Sequence, residues 1–163
     1  MVQSNADFRL YCFGGFHFVA DNTINMDFGT KKARALIGYL AIETPRSFRR
    51  RHLAGLLWGE CSEDRALHNL RQTLYQLKNE WSQVSDRPLL IFIQDTIALN
   101  PEISLWVDVR SFEEKHHQAF LFYNQPERLE HLDIHQLKKA MALFTGPFLD
   151  RFRLNDTLLF NEW

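Results

Sequence analysis

Between Leu53 and Trp81 the chain reads LAGLLWGECSEDRALHNLRQTLYQLKNEW: a short apolar run, a tight turn and a long amphipathic segment. At about 100° per residue, Ala66, Leu70, Leu74, Leu77 and Trp81 fall in one narrow stripe that demands burial. Arg65, His68, Gln72, Tyr75, Gln76 and Asn79 project the other way, with Asn69, Arg71 and Lys78 on the flanks. Solvated helix faces are usually built from Glu and Lys at i,i+4 spacing. Here acid is confined to Glu63 and Asp64 in the first turn and to Glu80. The segment therefore reads as a helix over 63–82, capped by Ser62, with first-turn acids that suit the positive end of its dipole. Amide, imidazole and guanidinium groups are the side chains that fork onto base edges. Arg65, His68, Asn69, Gln72 and Gln76 are thus the candidate base-contacting residues, against the plainer reading of a polar face with no partner.

A shorter helix is expected over 50–58, opened by Phe48-Arg49-Arg50-Arg51-His52. Three cations at a helix start are unfavourable by a few tenths to about 1 kcal/mol each. A polyanion would compensate them, because N–H groups at a helix start and guanidinium groups both bind phosphate. Arg49, Arg50 and Arg51, with Arg71 and Lys78 on the long helix, are the candidate phosphate contacts. The competing reading pairs these arginines with acids elsewhere in the chain.

The flanking patterns supply the rest of a small α+β unit. Phe8, Leu10 and Cys12 alternate, as do Phe16 and Phe18 and then Ile24, Met26 and Phe28, which predicts a small antiparallel sheet. Thr30 is placed to cap a helix bearing Ala33, Leu36, Ile37, Leu40 and Ala41, which Pro45 stops. Leu89 to Ile93 and Thr96 to Leu99, joined at Gln94-Asp95, predict a hairpin. From Val107 onward the pattern is helical, with Phe112, Phe120, Leu137, Met141, Phe144, Phe148 and Phe160 more than a short helical hairpin can bury alone, so docking or self-association through them is expected.

Taken together, Ala66-x-x-Asn69-Leu70-Arg71-Gln72-x-Leu74-x-x-Leu77-Lys78, Leu53-Ala54-x-x-Leu57-Trp58 and Lys31-x-Ala33-Arg34-Ala35-Leu36-Ile37-x-Tyr39-Leu40-Ala41 resemble the Streptomyces antibiotic regulatory protein (SARP) family. These are bacterial transcriptional activators with a winged helix of the OmpR response-regulator type. Val107-Asp108-Val109-x-x-Phe112, Gly146-Pro147-Phe148-Leu149 and Phe160-Asn161-Glu162-Trp163 resemble the start of the helical bacterial transcriptional activator domain that follows. The resemblance implies a winged helix-turn-helix over 1–102 with an N-terminal antiparallel sheet and a hairpin wing, then an α-helical, tetratricopeptide-like segment over 103–163. It implies double-stranded DNA, RNA polymerase, downstream domains of the same chain and a second copy as partners. The chain departs from the family pattern at Arg49, where a small capping residue is usual, at Arg51, where acid is usual, and at Thr96-Ile97-Ala98-Leu99, where the wing normally carries Gly-Tyr.

Charge is balanced, with 19 basic against 20 acidic residues, so any nucleic-acid surface must be local. Lys31 to Arg51 holds seven Lys or Arg and one acid, Glu43. Cys12 and Cys61 fit no ligand or redox spacing and read as reduced thiols of a cytoplasmic protein. No transmembrane run, signal peptide or membrane partner is expected. His131 and His135 have metal-ligand spacing, with His116-His117 and Asp133 near in sequence, but no first shell is completed, and they read as surface histidines. Asp108 and Glu113-Glu114 are explained by helix starts rather than acid/base work. No phosphate loop, nucleophile elbow or zinc protease motif is present. The expectation is a non-enzymatic DNA-binding activator without cofactor or metal, the alternative a winged-helix scaffold that has given up DNA for protein interaction within a larger signalling protein.

Overall fold

The computed structural model describes residues 7–20, 24–123 and 134–163, with side chains within 118–136 excepted. The early alternation gives β1 (Phe8–Tyr11), β2 (His17–Ala20) and β3 (Ile24–Met26), paired antiparallel so that Phe8 faces Ala20 and Leu10 faces Phe18. Phe8, Leu10, Phe18 and Ala20 turn inward. Helix α1 (Lys31–Ile42) follows, its Ala33 N–H donating to Thr30 Oγ1 at 3.1 Å, which is the cap the sequence suggests. Next come β4 (Phe48–Arg49), α2 (Arg50–Trp58), α3 (Glu63–Trp81), the hairpin β5 (Leu90–Ile93) and β6 (Thr96–Leu99), β7 (Leu105–Val107), α4 (Asp108–Tyr123), α5 (Ile134–Leu143) and α6 (Leu158–Glu162). The chain is α+β, with α1 to α3 between two sheets. Leu36, Ile37, Leu40, Leu53, Leu57, Leu70, Leu77 and Ile97 are fully buried among them. Aromatic rings close the sheet side of the core, with Phe8 4.6 Å from Trp81 and Phe18 5.1 Å from Phe28 between centroids.

Two strands depart from the sequence reading. The two-residue β4 pairs with β6, Phe48 opposite Ile97, so the hairpin is part of a three-stranded sheet in the order β4-β6-β5. Residues Leu105–Val107, expected within a helical segment that opens at 103, form β7 instead. This strand runs parallel to β1 and completes a sheet in the order β3-β2-β1-β7. Ile103 and Val107 are buried, Ser104 is exposed, and Leu105 and Trp106 are both half-buried, so the strand shows no clean period of two, and the helical pattern begins at the same valine. An unpaired edge on β1 supplies the driving force.

The first residue of α4 locks this junction. Asp108 is 1% exposed, and its carboxylate accepts from Cys12 N–H at 2.8 Å, Phe13 N–H at 2.9 Å and Val109 N–H at 2.7 Å. Burial holds its carboxyl above the usual carboxylate range, against the opposing pull of those N–H donors. Burial, with that carboxylate beside it, pushes the Cys12 thiol up in turn, while Cys12 and Cys61 are both free.

The Gly146-Pro147-Phe148-Leu149 run, expected to belong to a helical unit, is not helical. It lies against the end of β1: Gly14 N–H donates to Pro147 O at 2.9 Å and Leu149 N–H to Cys12 O at 2.7 Å. The two backbones approach so closely that a Cβ on Gly146 would stand 3.0 Å from Gly14 Cα. Further on, Thr157 Oγ1 donates to Leu56 O at 2.8 Å, Trp163 Nε1 to Glu43 Oε1 at 3.0 Å, and Lys32 Nζ pairs with Asp156 at 2.6 Å. The C-terminal residues thus dock on α1 and α2. Phe160 is buried and Phe112 and Leu137 are half-buried, whereas Met141, Phe144 and Phe148 stay exposed. The Phe120 side chain lies outside the described residues. So do His131, Asp133 and the His135 side chain, while His116 and His117 are exposed. Among the described residues no group of three or more His, Cys, Asp or Glu is placed to hold a metal, and no helix is long and apolar enough to cross a membrane.

Candidate nucleic-acid interface

Helices α2 and α3 pack on each other through a four-residue turn, Gly59 to Ser62. Glycine is needed at its start because a Cβ on Gly59 would stand 2.9 Å from Gly55 O. The division of α3 into faces is as the periodicity requires. Ala66, Leu70, Leu74, Leu77 and Trp81 are buried, and Thr73 with them. On the outside, Arg65, His68, Arg71, Gln72, Gln76 and Lys78 are exposed and Asn69 is half-buried. Gln72 donates its amide N–H to His68 Nε2 at 2.9 Å, one turn away, which leaves the neutral imidazole protonated on Nδ1. The pair is therefore held as an exposed unit whose amide oxygen and ring Nδ1–H have no hydrogen-bond partner among the described residues. Tyr75, on the same face but unassigned on sequence, is 67% exposed and adds a phenol at its centre.

The start of α3 is built differently from expectation. Ser62 makes no side-chain cap bond; only its carbonyl serves, accepting from Ala66 N–H at 2.9 Å. The Glu63 carboxylate turns instead to Arg51, with Nη2 and Oε2 2.7 Å apart, and so ties the start of α3 to the start of α2.

The three arginines accordingly separate. Arg51 has an internal carboxylate, which answers the dipole conflict without any external anion. Arg50 lies over the Phe92 ring at 5.3 Å, and its N–H donates to Asp95 O at 2.9 Å, so it braces the wing against α2. Arg49 sits on β4 opposite Thr96, exposed and without a partner among the described residues. Geometry brings Arg49, Arg50 and Arg51 to one end of α2 but leaves Arg49 alone uncommitted.

The hairpin turn places Gln94 at φ 53, in the left-handed region. Behind it, Phe92 and Ile93 are 51% and 61% exposed. Sequence reasoning passed over these two. The signal was present, since Leu90-Ile91-Phe92-Ile93 is apolar throughout while an outer strand with one covered face can hide only alternate residues.

This arrangement, a sheet, three helices with a helix-turn-helix and a terminal hairpin, recurs in a solved structure. The chain is similar to Mycobacterium tuberculosis EmbR in complex with a low affinity phosphopeptide, with a TM-score of 0.70 and 23% identity over 90% of this chain and 38% of that one. The two share a winged-helix fold. The chain thus spans little more than a third of the EmbR chain it matches. No protein-family model matches it, and no curated protein sequence does.

Proposed function

We propose that this chain is the DNA-binding module of a cytoplasmic bacterial transcription activator of the SARP type, with α3 laid in the major groove of double-stranded DNA. The outward face of α3 carries this reading: Arg65, His68, Asn69, Gln72 and Gln76 can all donate to base edges, and acid is kept to the two ends of the helix. Arg71 and Lys78 on its flanks, with Arg49 at the start of α2, take phosphates, and Arg50 adds a further one with its guanidinium kept over the Phe92 ring. Arg51 joins them only by releasing Glu63. The helices from α4 onward are the start of an activator and interaction domain of tetratricopeptide-like form, through which RNA polymerase, later domains of the chain or a second copy are engaged. Selection of bound sequences from a random duplex pool tests this directly. One enriched motif is expected, and no enrichment after repeated rounds refutes DNA reading.

The second reading, a winged-helix scaffold turned to protein interaction, is favoured by one observation. The wing presents Phe92 and Ile93 where a DNA-contacting hairpin would be served by cations.

A further inference from the structure

We propose that the free edge of β5 is a docking site for an extended, acidic peptide segment, which adds to the sheet β4-β6-β5 as a fourth strand. The register decides which backbone groups are available. Ile93 faces Thr96 across the two-residue turn, and Leu89 O accepts from Asn100 N–H at 2.8 Å. Hydrogen-bonded and non-bonded pairs alternate along an antiparallel ladder, so Leu89, Ile91 and Ile93 turn their backbone groups toward β6. Leu90 and Phe92 turn theirs away, onto an edge that no strand covers among the described residues. Exposed edges are normally blunted by charge, proline or a bulge. Leu90 to Ile93 carries none of these.

A groove runs beside that edge. It has a volume of about 450 Å³ between β5 and the C-terminal half of α3, walled by Leu74, Leu77, Trp81, Pro88 and Phe92, and Lys78 is the one charged residue lining it. Lys78 is exposed and has no ion-pair partner among the described residues. Unpaired N–H and C=O groups, apolar walls and a lone ammonium group together describe one occupant: a strand with alternate apolar side chains and a carboxylate. A second copy fits less well. A two-fold pairing of β5 with itself offers Lys78 no carboxylate from Leu90 to Ile93. Docking stands apart from the DNA reading. If that reading also holds, a bound strand takes Lys78 from the phosphates and weakens duplex affinity.

The test uses the whole chain, isotopically labelled, without DNA, and a blocked hexapeptide of alternating valine and glutamate as probe. Saturable amide shifts and slowed hydrogen exchange are expected at Leu90 and Phe92. Methylating alternate amide nitrogens along one edge of the probe should abolish both effects, while methylating the other edge should not. K78E should lower affinity for the acidic probe about fivefold and raise it for an alternating valine–lysine peptide. Lys78 is exposed, and the amide spectrum of K78E verifies that its fold is kept. Absence of saturable shifts up to millimolar probe overturns the proposal, as does indifference to which edge is methylated. Protection at Leu90 and Phe92 that grows with protein concentration and without probe overturns it in favour of a second copy.

Discussion

Asp108→Ala should be among the most damaging single changes to a polar residue of this chain. It removes the acceptor for Cys12, Phe13 and Val109 N–H at once. Val109 lies in the first turn of α4, where an unpaired N–H is ordinary and water can reach it. The Cys12 and Phe13 groups belong to buried residues, and each donor left unsatisfied costs about 1–3 kcal/mol. Relief from burying a carboxylate offsets part of this, so a net loss of about 2–4 kcal/mol is expected. With a urea m-value of about 2 kcal/mol/M, the midpoint should fall by roughly 1–2 M with m unchanged. The buried Trp58 and Trp81 report the transition by fluorescence. The pH dependence supplies a second check through Asp108→Asn, which keeps the shape but does not titrate. Because burial raises the folded value, the folded state holds a proton that the unfolded chain releases. Wild type therefore loses stability, relative to the Asn variant, as pH rises from the ordinary value of 3.8 through the raised one. The gap between the two proteins should be widest in acid and narrow above that window. A loss under about 0.5 kcal/mol in the Ala variant would refute the orphaned-donor argument. A gap that widens with pH would refute the dominance of burial.

Arg65→Ala and Gln72→Ala should each weaken the preferred duplex by about 1–3 kcal/mol and relax sequence preference while leaving thermal stability nearly unchanged; equal losses on random DNA would remove them from base reading. Arg49→Ala should lower the slope of log K against log salt by about 0.9, and Arg51→Ala by much less because Glu63 already holds that guanidinium. Identical slopes for the two would show that the salt bridge does not decide the matter. Phe160→Ala, at a side chain 3% exposed, should destabilise by about 3–5 kcal/mol and open the Arg151–Arg153 region to trypsin, whereas unaltered cleavage would mean that the C-terminal residues do not depend on this anchor.

Where the pattern was local, it was legible, the Ser62 side-chain cap excepted. The faces of α1 and α3, the Thr30 cap and the hairpin turn at Gln94-Asp95 follow from spacing within a dozen residues, and the structure agrees with each. What escaped was nonlocal. The β7 strand exists because β1, almost a hundred residues earlier, has a free edge, and nothing within Leu105–Val107 announces a partner that far away. The two-residue β4 is too short to show a period. At the candidate interface, exposure of Arg65, His68, Gln72 and Gln76 could be worked out by angle alone, but the fates of Arg50 and Arg51 could not. A sequence shows that cations crowd a helix start; it does not show that Glu63 and the Phe92 ring, twelve and forty-two positions on, arrive beside them.

The parallel pairing of β1 with β7 also dictates an order of events during synthesis. At about 5–20 residues per second, roughly 5–20 s separate the appearance of Phe8–Tyr11 from that of Leu105–Val107. Throughout that interval the outer edge of β1, and the Cys12 and Phe13 amides beyond it, wait for a strand and a carboxylate not yet made. The helix-turn-helix, closed by contacts near in sequence, can be in place well before. A nascent chain whose first hundred or so residues have left the ribosome would then carry a formed helix-turn-helix on a half-built sheet, with an unpaired β1 edge open to any chaperone that binds extended apolar segments.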